Sequence, residues 1–133
     1  MTGTLEENLI AAINRNAEIR SRFSGRIFFI KIANGAHAPY IRVSVISDGD
    51  PAESYLNQSA RLYRAEIQIM VYTESAAASL RFADMIFETF ETLGNSGESP
   101  FELCDPFQKT AAYVDSPELI SAGFRLKLIY EKQ

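Results

Sequence analysis

In 133 residues the chain has no tryptophan, one cysteine (Cys104) and one histidine (His37). A single cysteine cannot close a disulfide within the chain. With only one histidine beside it, there is no Cys-x-x-Cys and no histidine cluster to hold zinc. The lone thiol agrees with synthesis in a reducing compartment. No apolar run approaches the roughly 20 residues that cross a bilayer. The segment Met1–Glu7 lacks the basic and apolar regions of a signal peptide, so the expectation is a soluble protein not exported by that route. Neither a glycine-rich phosphate loop nor a G-x-S-x-G elbow is present. Positive charge is short as well: 13 Lys and Arg stand against 17 Asp and Glu, a net charge of −4. Nucleic-acid binding needs a concentrated positive field, so no specific nucleic-acid partner is expected, and no membrane, cofactor or metal either.

What remains is an ordinary globular composition, 47% hydrophobic and 23% charged. A chain of this length forms one domain, residues 1–133, and buries about two-thirds of its unfolded surface without a metal or disulfide staple. The charge is unevenly spread. Residues 1–47 carry six basic groups against three acids, whereas residues 74–105 hold Arg81 against seven acids. Unlike faces of this kind suit polarised self-association, although solvated faces of amphipathic elements give the same pattern.

Thr4-Leu5-Glu6-Glu7 has capping-box spacing and opens a helix whose apolar stripe is Leu5, Leu9, Ala12 and Ile13. A short second helical piece is expected over Ala17–Phe23, stopped by Gly25. Strands are expected at Arg26–Ile32 and Tyr40–Ser47, joined through Asn34-Gly35 and Pro39. The strongest pattern is Arg61–Thr73, where Tyr63, Ala65, Ile67, Ile69 and Val71 alternate with Arg64, Glu66, Gln68, Met70 and Tyr72. At about 3.3 Å per residue it would reach roughly 40 Å. A strand of that length is expected to project beyond its sheet toward another chain. It runs directly into a helix, Ser75–Leu93, with Leu80, Ala83, Ile86 or Phe87, Phe90 and Leu93 inward, Arg81, Asp84, Glu88 and Glu91 outward, and Gly94 as the stop. Closing strands are expected at Phe107–Val114 and Ala122–Glu131, split by Asp115-Ser116-Pro117. Polar loops are expected at Asp48–Ser59 and Asn95–Pro106. The fold class is therefore α+β: a mixed, mainly antiparallel sheet packed by an N-terminal helix and one long central helix, in the order α-β-β-β-α-β-β.

Catalytic candidates are weak. A Cys104/His37 nucleophile pair has no local support, because an activated thiol needs a base beside it and a lone cysteine is more often a packing residue. Asp84, Glu88 and Glu91 share a helix face and could meet a cation, but a solvated face is the plainer account. Arg61 and Arg64 with Tyr63 and Tyr72 could touch nucleic acid only against the net charge. The expectation is a non-enzyme that works by assembly.

The succession Ala38-Pro39-Tyr40-Ile41-Arg42-Val43, a polar loop, Tyr63-Arg64-Ala65-Glu66-Ile67-Gln68-Ile69-Met70-Val71-Tyr72 and a helix resembles the tail terminator proteins of long-tailed bacteriophages, also called tail completion or minor tail proteins, in their lambda-like form. The ending Phe124-Arg125-Leu126-Lys127-Leu128-Ile129-Tyr130-Glu131 resembles the closing strand of that family. The likeness covers nearly the whole chain as a layout, and related neck and head-tail joining proteins share it. It implies a homo-oligomer, a hexameric ring in the virion tail, assembled in the bacterial host cytoplasm. That ring caps the tail tube, ends its polymerisation and presents a surface to the head-tail connector protein. On this resemblance Asp48, Asp50, Glu53 and Tyr55 are placed at the tube or connector contact, and Arg61 and Arg64 at the subunit interface. The alternatives are a small cytoplasmic ligand-binding or enzymatic α+β domain, or another neck protein.

Overall fold

A computed structural model describes residues 4–29, 37–51, 62–97 and 99–131, with the side chains of 49–51 outside the description. The chain begins with helix α1 (Leu5–Ile13). Its cap is reciprocal: the Thr4 hydroxyl accepts from the Glu7 amide and donates to the Glu7 carboxylate, each at 3.1 Å. Helix α2 (Ala17–Arg22) is capped by Asn16, whose Oδ1 accepts from the amides of Glu18 and Ile19. Gly25 then turns the chain at φ +70°, a conformation that favours glycine.

Strand β1 (Ile27–Phe29) lies parallel to β2 (Tyr40–Pro51), with Ile27 opposite Ile41. These two strands are therefore a parallel pair, and only Ile27–Phe29 of the expected Arg26–Ile32 is a strand among the described residues. The Arg26 guanidinium donates to the carbonyls of His37 and Pro39 at 3.1 and 3.4 Å, and the Ile41 amide donates to the Arg26 carbonyl at 2.9 Å. These bonds hold the start of β2 beside the start of β1.

Strand β3 (Leu62–Thr73) is antiparallel to β2 on one side and, on the other, to β6 (Leu119–Glu131), which pairs with it from Leu62↔Glu131 to Thr73↔Ile120. It is long, but it does not project: both partners run its length, so it is the centre of the sheet. Helix α3 (Ala76–Gly94) follows, with the Ser75 Oγ accepting from the Ala78 amide as cap. Two short strands, β4 (Leu103–Phe107) and β5 (Tyr113–Ser116), pair with successive parts of β6, giving the order β1-β2-β3-β6-β4 with β5 also on β6. The expected strand Phe107–Val114 is thus corrected. Its pairing begins earlier, inside the stretch expected as the loop Asn95–Pro106, and Gln108, at φ 51°, leads the chain out of β4. The loop expected from Asp48 likewise begins later, because β2 continues to Pro51.

All three helices lie on one face of the sheet, where α3 packs on β3, β4 and β6, and α1 and α2 pack on α3. Period-two alternation supplies that face: Ile41 and Val43, Ala65 through Val71, and Ala122 through Tyr130 are buried in register. Phe124 receives Phe87 and Phe90 of α3, and Phe23 meets Phe82 edge-on at 5.2 Å. The buried stripe of α3 is Ser79, Phe82, Ala83, Ile86, Phe90 and Leu93; Leu80, expected inside, is 39% exposed. The basic N-terminal third and the acidic helix are neighbours within one chain, joined by the Arg81–Glu18 pair at 3.2 Å, and so are not two remote faces.

Candidate assembly surfaces

The face of the sheet opposite the helices carries the candidate site. At one end, Tyr40 and Tyr72 stack with ring centres 4.7 Å apart, Phe28 meets Tyr40 edge-on at 6.0 Å, and the Arg42 guanidinium lies 5.5 Å from the Tyr72 ring centre. Both tyrosines are buried, and that burial raises their pKa values above the ordinary 10.0. For Tyr72 the charge of Arg42 opposes the rise. This end is closed by its own aromatic packing.

The other end is open. There β2 contains two irregularities, between Val45 and Ser47 and between Asp48 and Asp50. The first makes Ile46 an extra residue, so Asp48 comes into register with Ala65 and turns to the helix-covered face. Its carboxylate accepts a hydrogen bond from the Tyr130 hydroxyl. The second brings Asp50 into register with Arg64. Arg64 in turn stands opposite Ile129, Leu103 opposite the same Ile129, and Asp105 opposite Lys127. Between these strands lies a depression of about 400 Å³ bounded by Ser47, Arg64, Glu66, Leu103, Lys127 and Ile129. Glu66 pairs with Arg125 at 3.7 Å. The Lys127 ammonium lies 4.8 Å over the Phe107 ring and makes no ion pair among the described residues.

Of the residues singled out from the sequence, Asp48, Asp50 and Arg64 therefore gather at one end of the sheet. Glu53, Tyr55 and Arg61 lie outside the described residues. Two features escape the sequence reading. One is the depression, whose Leu103, Lys127 and Ile129 come from strands paired across a long sequence separation. The other is the β5–β6 hairpin, where Tyr113 and Val114 are 66% and 63% exposed, the largest apolar exposures among the described residues. Asp115-Ser116-Pro117 marks the turn in the sequence, but nothing there says that the strand before it is unburied.

Cys104, expected in a loop, is buried in β4. Desolvation, aided by the charge of Asp105, pushes its thiol up to about 12, so it is protonated at neutral pH and not a nucleophile. Among the described residues no group of three His, Cys, Asp or Glu is placed to hold a metal ion. No helix among the described residues is long and apolar enough to cross a membrane.

No family model matches the chain, and no curated protein matches it either. Among solved structures, a chain of the "Virion of native gene transfer agent (GTA) particle" has the same fold, with a TM-score of 0.67 at 15% identity over 98% of this chain and 96% of that one. The likeness spans nearly the whole of both chains, so the α+β architecture described above is one that a virion chain also adopts.

Proposed function

We propose that this chain is a structural subunit of a phage-like virion and acts there as a tail terminator. Copies close into a six-membered ring in the host cytoplasm; the ring caps the tail tube, stops its growth and offers its other face to the head-tail connector. The observation that carries this reading is the likeness of fold to a virion chain over 98% of this chain. The layout resemblance to tail terminators supports the finer placement at the end of the tube. A ring needs two different patches that meet around a rotation axis, and the open sheet end and the projecting hairpin are two such patches. The role asks for no catalytic group, in keeping with a buried, protonated Cys104.

The test is the light-scattering mass of the purified chain, alone and after mixing with tail tubes assembled from a purified phage tail-tube protein. Electron microscopy of the same mixtures gives the tube lengths. Rings at tube ends and a narrowed length distribution are expected. A chain that stays monomeric, binds no tube and leaves lengths unchanged overturns the reading.

A further inference from the structure

The β5–β6 hairpin and the open-face depression sit at opposite ends of β6. Tyr113, Val114 and Ser116 pair with Ser121, Ile120 and Leu119, whereas the depression is walled by Lys127 and Ile129. At about 3.3 Å per residue, Ile120 and Ile129 are roughly 30 Å apart, so the hairpin of one chain cannot fill its own depression. The two are nevertheless complementary. The hairpin presents exposed Tyr113 and Val114 together with exposed Asp115 and Glu118. The depression presents Leu103, 44% exposed, and Ile129 together with exposed Arg64 and Lys127. Apolar meets apolar, and the hairpin's two acids face the two bases Arg64 and Lys127. The wall residue Glu66 is already paired with Arg125, and Asp105, opposite Lys127, makes no ion pair among the described residues. Tyrosine is also among the residues that most often anchor an interface. Tyr113 and Val114 leave the ribbon on opposite faces, so a neighbour that takes the tip end-on covers both.

We propose that the hairpin of one copy docks in the depression of the next copy. The contact joins two different patches, so each copy keeps one donor and one acceptor surface, and repetition produces a closed ring or an open filament. It rests on the reading of the chain as a ring subunit and names the surfaces that reading requires. It also gives Arg64 a defined place at the subunit interface, opposite the neighbour's Asp115 or Glu118.

The experiment uses two variants of the full chain. The hairpin variant carries Tyr113→Ser and Val114→Ser, and the depression variant carries Arg64→Glu and Lys127→Glu. All four residues are exposed or partly so, and circular dichroism melts superimposing on wild type confirm that both variants fold. Each variant alone is expected to weaken self-association by about 10-fold to 100-fold in sedimentation velocity. A mixture of the two is expected to give one-to-one dimers and nothing larger, because the mixture contains only one intact donor and one intact acceptor per pair. A charge exchange, with Asp115→Lys and Glu118→Lys added to the depression variant, is expected to restore assembly. If wild type assembles and the variants assemble equally well, the proposed contact is overturned while the ring reading stands. The same holds if the hairpin variant forms normal rings but no longer binds tubes, which would make the hairpin a tube contact. A wild-type chain that never exceeds a monomer, with or without tubes, overturns the ring reading and this contact with it.

Discussion

The Tyr130 hydroxyl donates a hydrogen bond to the carboxylate of Asp48, 82 residues away in sequence, across the strand that separates theirs. β3 lies between β2 and β6, and Asp48 reaches past it only because the extra residue Ile46 turns the aspartate onto the helix-covered face. The bond ties three strands together at the sheet end that carries Arg64 and the depression. Tyr130→Phe keeps the ring and removes the donor. A hydrogen bond to a charged acceptor contributes about 1.5–3 kcal/mol when buried, and the exposure of Asp48 reduces this to roughly 1 kcal/mol. Tyr130→Phe and Asp48→Ala are each expected to lower the unfolding free energy by that amount, shifting the urea midpoint without changing the slope. The double variant should be no worse than the worse single one, because both remove the same bond. Additive losses would show that the two side chains act independently.

Stability is expected to fall in alkali. Burial raises the pKa of Cys104 from 9.0 to about 12. It also raises those of Tyr130, Tyr40 and Tyr72 above 10.0, with the Asp48 hydrogen bond adding to the rise at Tyr130. In each case the folded chain holds a proton that the unfolded chain releases more readily. The stabilisation is therefore complete below the unfolded values and is lost as pH rises through them toward the folded ones. Melting temperature should be level from pH 7 to about 9 and then decline, each group adding on the order of 1 kcal/mol per pH unit at most. Cys104→Ala should remove the earliest part of the decline, near pH 9 to 10, leaving the tyrosine part. A melting temperature unchanged up to pH 11 would contradict this.

The alternation in β3 and β6 and the capping signals of α1 and α3 were legible in the sequence because period and cap chemistry are local. What eluded local reading depended on partners far along the chain. β4 has a proline and a cysteine where an ideal strand has β-branched residues, and it is a strand because β6 offers it an edge and α3 covers Cys104 and Pro106. β3 looked overlong because its pattern gives its length but not the length of β2 and β6, which match it. Asn34-Gly35 and Pro39 signal a turn or loop but not the relative direction of the strands they join, and the parallel register is set by Arg26, which binds the carbonyls ahead of Tyr40. At the candidate site, the acids of residues 48–50 were recognisable as a cluster. The bulges that set Asp48 opposite Ala65 and Asp50 opposite Arg64 depend on pairing with β3 and leave no periodic signal.

Of the described glycines, Gly123 leaves the least room for a side chain. A Cβ there would stand 1.9 Å from the Ile69 carbonyl oxygen and 2.6 Å from the Met70 sulfur. The sulfur ends a flexible side chain and can move, but the carbonyl belongs to the central strand and cannot move without breaking its ladder. Gly123 also holds the connection from β4, its amide donating to Thr110 Oγ1 at 2.9 Å while its carbonyl accepts from the Thr110 amide at 2.9 Å. Gly123→Ala is expected to destabilise by about 3 kcal/mol or more, in the range of overpacking and backbone displacement. Gly97→Ala, where nothing lies within 4 Å, should stay within about 0.5 kcal/mol of wild type. Equal effects at the two positions would mean that β6 shifts to accept the methyl.

The N-terminal turn of α3 depends on one hydroxyl. Ser79 is completely buried, and its Oγ lies 2.7 Å from Thr73 Oγ1 and donates to the Ile120 carbonyl at 2.6 Å. Thr73 ends β3 and Ile120 lies in β6, so this side chain pins the helix to both strands at the end from which the hairpin projects. It also explains why Leu80, the more hydrophobic neighbour, faces outward. Rotating the helix by one residue to bury Leu80 would leave the Ile120 carbonyl and the Thr73 hydroxyl without Ser79, and an unsatisfied buried polar group costs about 1–3 kcal/mol. Ser79→Ala is accordingly expected to destabilise by about 2 kcal/mol, and Ser79→Val by at least as much, because the added methyl must also fit a filled site. Amide exchange should rise at the start of α3 and in the hairpin before it rises in the centre of β3. Uniform exchange across the domain would mean that Ser79 contributes to global stability without fixing the hairpin end.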